Sequence, residues 1–229
     1  MKKYILLLLL CLFTVSLYSM TIDELSNSDE WHNLLLDDPY GKGFITDNSK
    51  MFACGKKDYK KEIEYLLENQ SNELLIKYPA RYECISRNLN LDIDYLSINP
   101  ELIKYLKEND YDQLSIALSE PINDQLMSMF GHAIVLLSHK DENIGEGVSI
   151  NLFAHLDNLS STEVIINGLN GHLVGYFAFD RAALIFENYS LKLNRELVVF
   201  KTNINKEQIQ RILLMVWELI TPQFHTNLL

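Results

Sequence analysis

His132 sits where Ser128-Met129-Phe130-Gly131 meets the apolar run 133–137. That run has the length of a buried strand, and His139-Lys140-Asp141-Glu142-Asn143 closes it. An imidazole at the mouth of such a strand is held by stiff backbone and is open on one side, and Gly131 lets a second group come close. These are the needs of a general base: a fixed position and a pKa near neutrality. The same pattern also fits a histidine that caps a strand in a packed core. Asn151 lies within a second strand-like run at 148–156. Its amide is able to orient an imidazole, or simply to satisfy a structural hydrogen bond.

Other reactive residues form weaker patterns. Cys54 and Cys84 follow no metal spacing and neither neighbours a histidine. In an exported chain they are equally readable as one disulfide or as two structural thiols. His132, His139, His155 and His172 match no common zinc pattern, and His132 and His139 face opposite sides of one strand. No metal or cofactor is expected. The chain has no Gly-x-Ser-x-Gly elbow, and Ser128 would serve as a nucleophile only if His132 reached it. Residues 168–177 are glycine-rich, but no strand–loop–helix unit surrounds them, so tight turns are expected there, with His172 a turn residue. Arg81 reads as a clamp for an anion or, more simply, as the partner of a buried acid.

The elements that must position these residues are legible in outline. Residues 21–50 hold a short helix capped by Ser28 or Asp29, with Trp31, Leu34 and Leu35 on one face. Residues 58–75 have helical spacing, and Pro79 places a boundary at Tyr78. Asn99-Pro100 starts another helix. Strands are expected at 114–118, 133–137, 148–156 and 197–200. Asn205 and Gln208 form a capping box, and Ile209, Ile212, Leu213, Val216 and Ile220 make one apolar stripe up to Pro222.

Composition sets the partner classes. The 229 residues carry 31 acidic and 20 basic side chains, a net charge of −11 at pH 7. That balance excludes a nucleic-acid partner and simple docking on anionic lipid. Residues 1–20 read as a secretory signal, with Lys2 and Lys3 before an apolar run. Cleavage is expected after Ser19 or Met20; an uncleaved segment tethering the chain to the membrane is the alternative. Cys11 has no small residue before it and is not read as a lipid-attachment cysteine.

Taken together, several fragments resemble one exported family, formerly DUF4105 and now the Lnb N-terminal periplasmic domain. Ser128-Met129-Phe130-Gly131-His132 is similar to its Ser-x-Phe-Gly-His, and Tyr78-Pro79-Ala80-Arg81 to its Phe-Pro-Ala-Arg. Gly55-Lys56-Lys57-Asp58 resembles its Gly-Lys-x-Asp, Asn151 with Ala154 its Asn-x-x-Ala, and Trp217-Glu218-Leu219 its Trp-Glu-Leu. Residues 168–175 resemble its glycine-rich segment. The likeness runs from about Trp31 to Leu219.

The resemblance implies a circularly permuted papain-like (NlpC/P60-like) core and N-acylation of bacterial lipoproteins. His132 would be the base and Asn151 its orienter. A lipoprotein or phospholipid would be the substrate. Two departures bear on activity. The family places Asn-Cys soon after Trp-Glu-Leu, and residues 221–229 contain no cysteine; Ile76 stands where the family has a Cys before Phe-Pro-Ala-Arg.

The expectation is therefore α+β. Residues 1–20 form the signal and 21–113 a helical N-terminal portion. Residues 114–229 form a papain-like lobe that is C-terminally incomplete and inactive alone, unless a second chain completes the fold. The alternative is a non-catalytic periplasmic binding or assembly module. On this reading the helix at 205–220 exposes an apolar surface.

Overall fold

A computed structural model of the chain describes residues 19–36, 51–120, 132–154, 159–170, 174–220 and 226–227. Most of the expected signal, Ser128, Met129, Phe130, Gly131, His155, His172 and His225 lie outside these residues.

The first half is helical because its polar residues fall at helix starts. Thr21 and Glu24 form a reciprocal capping box on α1 (Ile22–Ser26). Ser28 Oγ accepts from Trp31 N at the start of α2 (Asp29–Leu34). Asp58 caps α3 (Tyr59–Glu68), and Ser71 caps α4 (Asn72–Lys77). The single helix expected over 58–75 is thus two. Asn69 ends the first, and the Ser71 hydroxyl takes the Leu74 amide and starts the second. Pro79 opens α5 (Pro79–Leu89) directly after Tyr78, as the proline requires. These helices enclose Trp31, Ile63, Leu66, Tyr82 and Ile85, all fully buried. The polar ends inside this core are satisfied: Trp31 Nε1 donates to Tyr59 O and Tyr82 Oη to Leu66 O.

After α6 (Pro100–Glu108), capped by Asn99, the chain builds an antiparallel sheet. Its strands are β1 (Gln113–Ser119), β2 (His132–Ser138), β3 (Val148–Ala154), β4 (Val174–Arg181), β5 (Leu197–Lys201) and β6 (Thr226–Asn227). The spatial order is β5-β1-β2-β3-β4-β6. Gly147 has a steric role between β2 and β3: a Cβ there would sit 2.0 Å from the Leu137 carbonyl oxygen.

Alternation along each strand gives the sheet two different faces. On one, Leu114, Leu137 and Ile150 pack under Ile209, Leu213 and Val216 of α9 (Lys206–Ile220). The Asn205–Gln208 capping box is present. On the other, Ala117, Ile134 and Leu136 meet Ala182 and Ile185 of α8 (Ala182–Phe186), which continues as a π-helical stretch, Glu187–Lys192. The remaining helix, α7 (Ser161–Asn170), contains Gly168, so this glycine is helical and not in a turn. The protein is α+β, and among the described residues helices accompany one antiparallel sheet.

The expected apolar exposure is found elsewhere. The described side chains of α9 include no exposed large apolar residue, because Leu214 packs with Ala80 and Leu102 while the stripe packs on the sheet. The exposed row is instead Ile116, Leu118, Val198 and Phe200, on β1 and β5.

A charged network joins α5 to α9 and the segment before α3. Arg81 is 1% exposed, Glu62 0% and Glu218 3%. Arg81 Nη1 donates to Glu62 Oε1 at 2.6 Å, and Arg81 N donates to Glu218 Oε1 at 3.0 Å. Arg81 Nε lies 3.3 Å from Glu218 Oε2 without hydrogen-bond alignment. Glu62 also accepts from the amides of Ala53 and Cys54. The guanidinium stacks 4.2 Å from the Tyr78 ring centroid.

Two carboxyls share one guanidinium, and burial pushes the Glu218 pKa up to about 7. The folded chain therefore holds this proton more tightly than the unfolded chain, whose value is the ordinary 4.5. The stabilisation is complete below 4.5 and is lost as pH rises through about 7. Thermal melts from pH 5 to pH 8 should show this as a falling Tm in the wild-type protein, with the slope reduced in E218Q. Arg81→Met should cost about 3–5 kcal/mol in denaturant unfolding, because it strands Glu62.

Candidate active site

The face of the sheet under α8 differs in composition from the face under α9. Strand register places Ser119 opposite His132, Ala117 opposite Ile134, and Ser115 opposite Leu136. Ser149 lies opposite Leu136 on the other side. Ser115, Ala117 and Ser119 are small, which lets the 182–192 helix approach closely. All three are buried. Ser149 Oγ donates to Asp180 O at 3.2 Å and accepts from Asn151 Nδ2 at 3.0 Å.

His132 is the first residue of β2 and is half-buried. Asn151, 1% exposed, projects from β3 on the same face. The sequence-expected pair is therefore brought together on adjacent strands. The Asn151 side chain lies near enough to the imidazole to hold its pKa up, while Asn151 Oδ1 has no well-aligned donor. Burial is the larger effect and acts in the opposite direction, and the nearby Arg195 charge adds to it. The net result is a His132 pKa below its ordinary value. The ring is neutral at pH 7 and able to take a proton.

Two more residues complete the surroundings. The Tyr189 ring lies nearly parallel to His132, with centroids 6.1 Å apart. The Arg195 guanidinium sits 5.1 Å from the same Tyr189 ring. Neither residue is evident from a motif. The alternation Ser115-Ile116-Ala117-Leu118-Ser119 does mark the small-residue face of β1, and so the face on which His132 lies.

Other candidate residues lie elsewhere. Cys54 and Cys84 are both free thiols. Cys84 belongs to the helical core around Trp31, with Cys54 packed against it. Burial pushes the Cys84 thiol up to about 12 and raises that of Cys54, the opposite of nucleophile activation. Arg81 is the partner of buried acids, as the simpler reading held. A cleft of about 270 Å³ between α5 and α9, lined by Glu83, Arg87, Tyr95 and Arg211 among others, does not border His132.

An antiparallel sheet with histidine and asparagine on neighbouring strands, backed by helices on both faces, defines an α+β domain. Residues 101–225 match the Lnb N-terminal periplasmic domain, and the chain belongs to that family. His132, Asn151 and Trp217-Glu218-Leu219 fall inside the match, while Pro79-Ala80-Arg81 lies before it. No curated protein and no solved structure matches the chain. Among the described residues, no helix is long and apolar enough to cross a membrane.

Loss of the Asn151 amide should leave burial unopposed. Asn151→Ala is expected to lower the His132 pKa further, measured by NMR titration of the imidazole. An unchanged or higher value would mean that the two side chains are not coupled.

Proposed function

We propose that this exported chain supplies the base half of a cysteine-dependent acyl-transfer site, on a papain-like lobe, acting on lipoproteins with a phospholipid as acyl donor. The observation that carries the reading is the His132–Asn151 pair on adjacent strands, with an imidazole kept neutral by burial. Family membership supports the same reading. The thiol comes from a further segment or a second chain, because both described cysteines sit with the helical core.

The chemistry divides into two proton exchanges. His132 takes the thiol proton as sulfur attacks the ester carbonyl, and returns it to the departing glyceryl oxygen. A thioester remains. His132 then takes a proton from the attacking N-terminal amine of the lipoprotein and returns it to sulfur as the amide forms. Asn151 keeps the ring oriented in both steps, as the third member does in a nucleophile–base–orienter set.

A non-catalytic binding module is the second reading, favoured by the inactive state of Cys54 and Cys84. One experiment separates the two. The chromosomal gene is replaced by one encoding His132→Ala, and N-terminal lipoprotein peptides are weighed by mass spectrometry. Loss of the amide-linked acyl chain at an unchanged level of the protein is expected. Full acylation would remove His132 from the chemistry and leave the binding module.

A further inference from the structure

Arg195 precedes β5 and is 7% exposed. Its Nε donates to Glu120 O at 2.6 Å, and its Nη2 also donates to that carbonyl. Its own amide donates to Tyr189 O at 2.8 Å, and its guanidinium lies over the Tyr189 ring. Carbonyl and ring fix the guanidinium plane. Neither neutralises its charge.

Among the described residues, no carboxylate forms an ion pair with Arg195, and Nη1 has no acceptor. Neither the acid whose backbone it touches nor the two beside it in sequence serve. Glu120 contributes only its carbonyl, Glu187 pairs with Lys192, and Glu196 is exposed. This contrasts with Arg81, the other deeply buried guanidinium, which is held by two carboxylates. A buried guanidinium without an anion is costly unless a ligand supplies one. Its planar fork matches phosphate oxygens.

Position adds to this argument. Strand register sets Leu197 opposite Ser119, and Ser119 opposite His132. Arg195 lies two residues before Leu197, and Tyr189 touches both His132 and Arg195. The cation thus stands beside the imidazole, in a chain whose net charge is −11.

We propose that Arg195 is an anion-binding residue that receives a phosphate group beside His132, with Tyr189 as the wall between them. The inference rests on the acyl-transfer reading in one respect, that the phosphate belongs to the phospholipid donor. Binding there would fix the headgroup while the ester lies toward His132. A free phosphate monoester offers the same chemistry.

The test uses the purified full chain and the NMR signals of the His132 imidazole. Inorganic phosphate, dihexanoyl phosphatidylglycerol and acetate are titrated separately. A saturable shift with either phosphate compound is expected, together with a rise in the His132 pKa as the bound anion offsets the Arg195 charge. Tighter binding of the lipid would identify a headgroup site, and equal binding a site for free phosphate. Arg195→Gln should weaken binding by about tenfold or more, and Arg195→Lys by less.

No shift in the wild-type protein would overturn the proposal without any variant. So would acetate binding as well as phosphate, or unchanged binding in a folded R195Q protein. The two readings fail separately. Phosphate binding with full lipoprotein acylation in the His132→Ala cells would sink the acyl-transfer function and keep the site. Lost acylation with no phosphate binding would do the reverse.

Discussion

The ion network of Arg81, Glu62 and Glu218 is the constraint on which the rest of the structure depends. It lies at the meeting of α3, α5 and α9, and its members are almost wholly removed from water. Burying charge is costly, so such a network tolerates few arrangements. Its contacts hold α5 against α9, and α9 is the helix that covers one face of the sheet. The sequence fragments Pro79-Ala80-Arg81 and Trp217-Glu218-Leu219 therefore have a structural role: they are two halves of one joint. Gly55-Lys56-Lys57-Asp58 borders a third part, since Glu62 holds the amides of Ala53 and Cys54 just ahead of it.

With α9 fixed, the sheet is left with a division of labour between its faces. The α9 side is filled mainly with large apolar side chains. The α8 side combines serines, an asparagine and a histidine with a few apolar contacts. Serine hydroxyls there are small enough to leave room and polar enough to tolerate an imidazole. The environment is dry enough to lower the pKa of His132 and near enough to Asn151 and Arg195 to be adjusted by both.

Much of this was legible in the residues. Cap residues Ser28, Asn99 and Asn205, and the prolines that follow two boundaries, act locally, and their effect survives whatever packs around them. The strands at 133–137 and 197–200 are short apolar runs between polar breaks, and they appear within one residue at each end. A single helix over 58–75 is too long a reading because Ser71 has ordinary helical neighbours, and only its hydroxyl makes a break. Residues 182–192 gave no signal, since Ala182-Ala183-Leu184-Ile185-Phe186 is apolar without clear period, and its continuation is π-helical. Arg195 and Tyr189 were invisible for a different reason. Their meaning comes from strand register and from a missing carboxylate, neither of which a linear pattern carries. His132 and Asn151 were readable because each lies within or beside a strand whose face could be counted.

The two thiols have a consequence for how the chain survives outside the cytoplasm. A periplasmic compartment is oxidising, and the thiolate is the form that reacts. In the folded chain Cys84 is enclosed beside Ile85, Cys54 packs against the same core, and burial raises the pKa of both thiols. Both are then poor substrates for an oxidant, so unbonded cysteines need no disulfide to be safe. That protection exists only after the helical core has closed. A chain delivered unfolded carries thiols of ordinary acidity, and wrong pairing then competes with burial. The tight packing around Trp31 and Tyr82 is thus also a matter of timing: the core must form before its cysteines meet an oxidant.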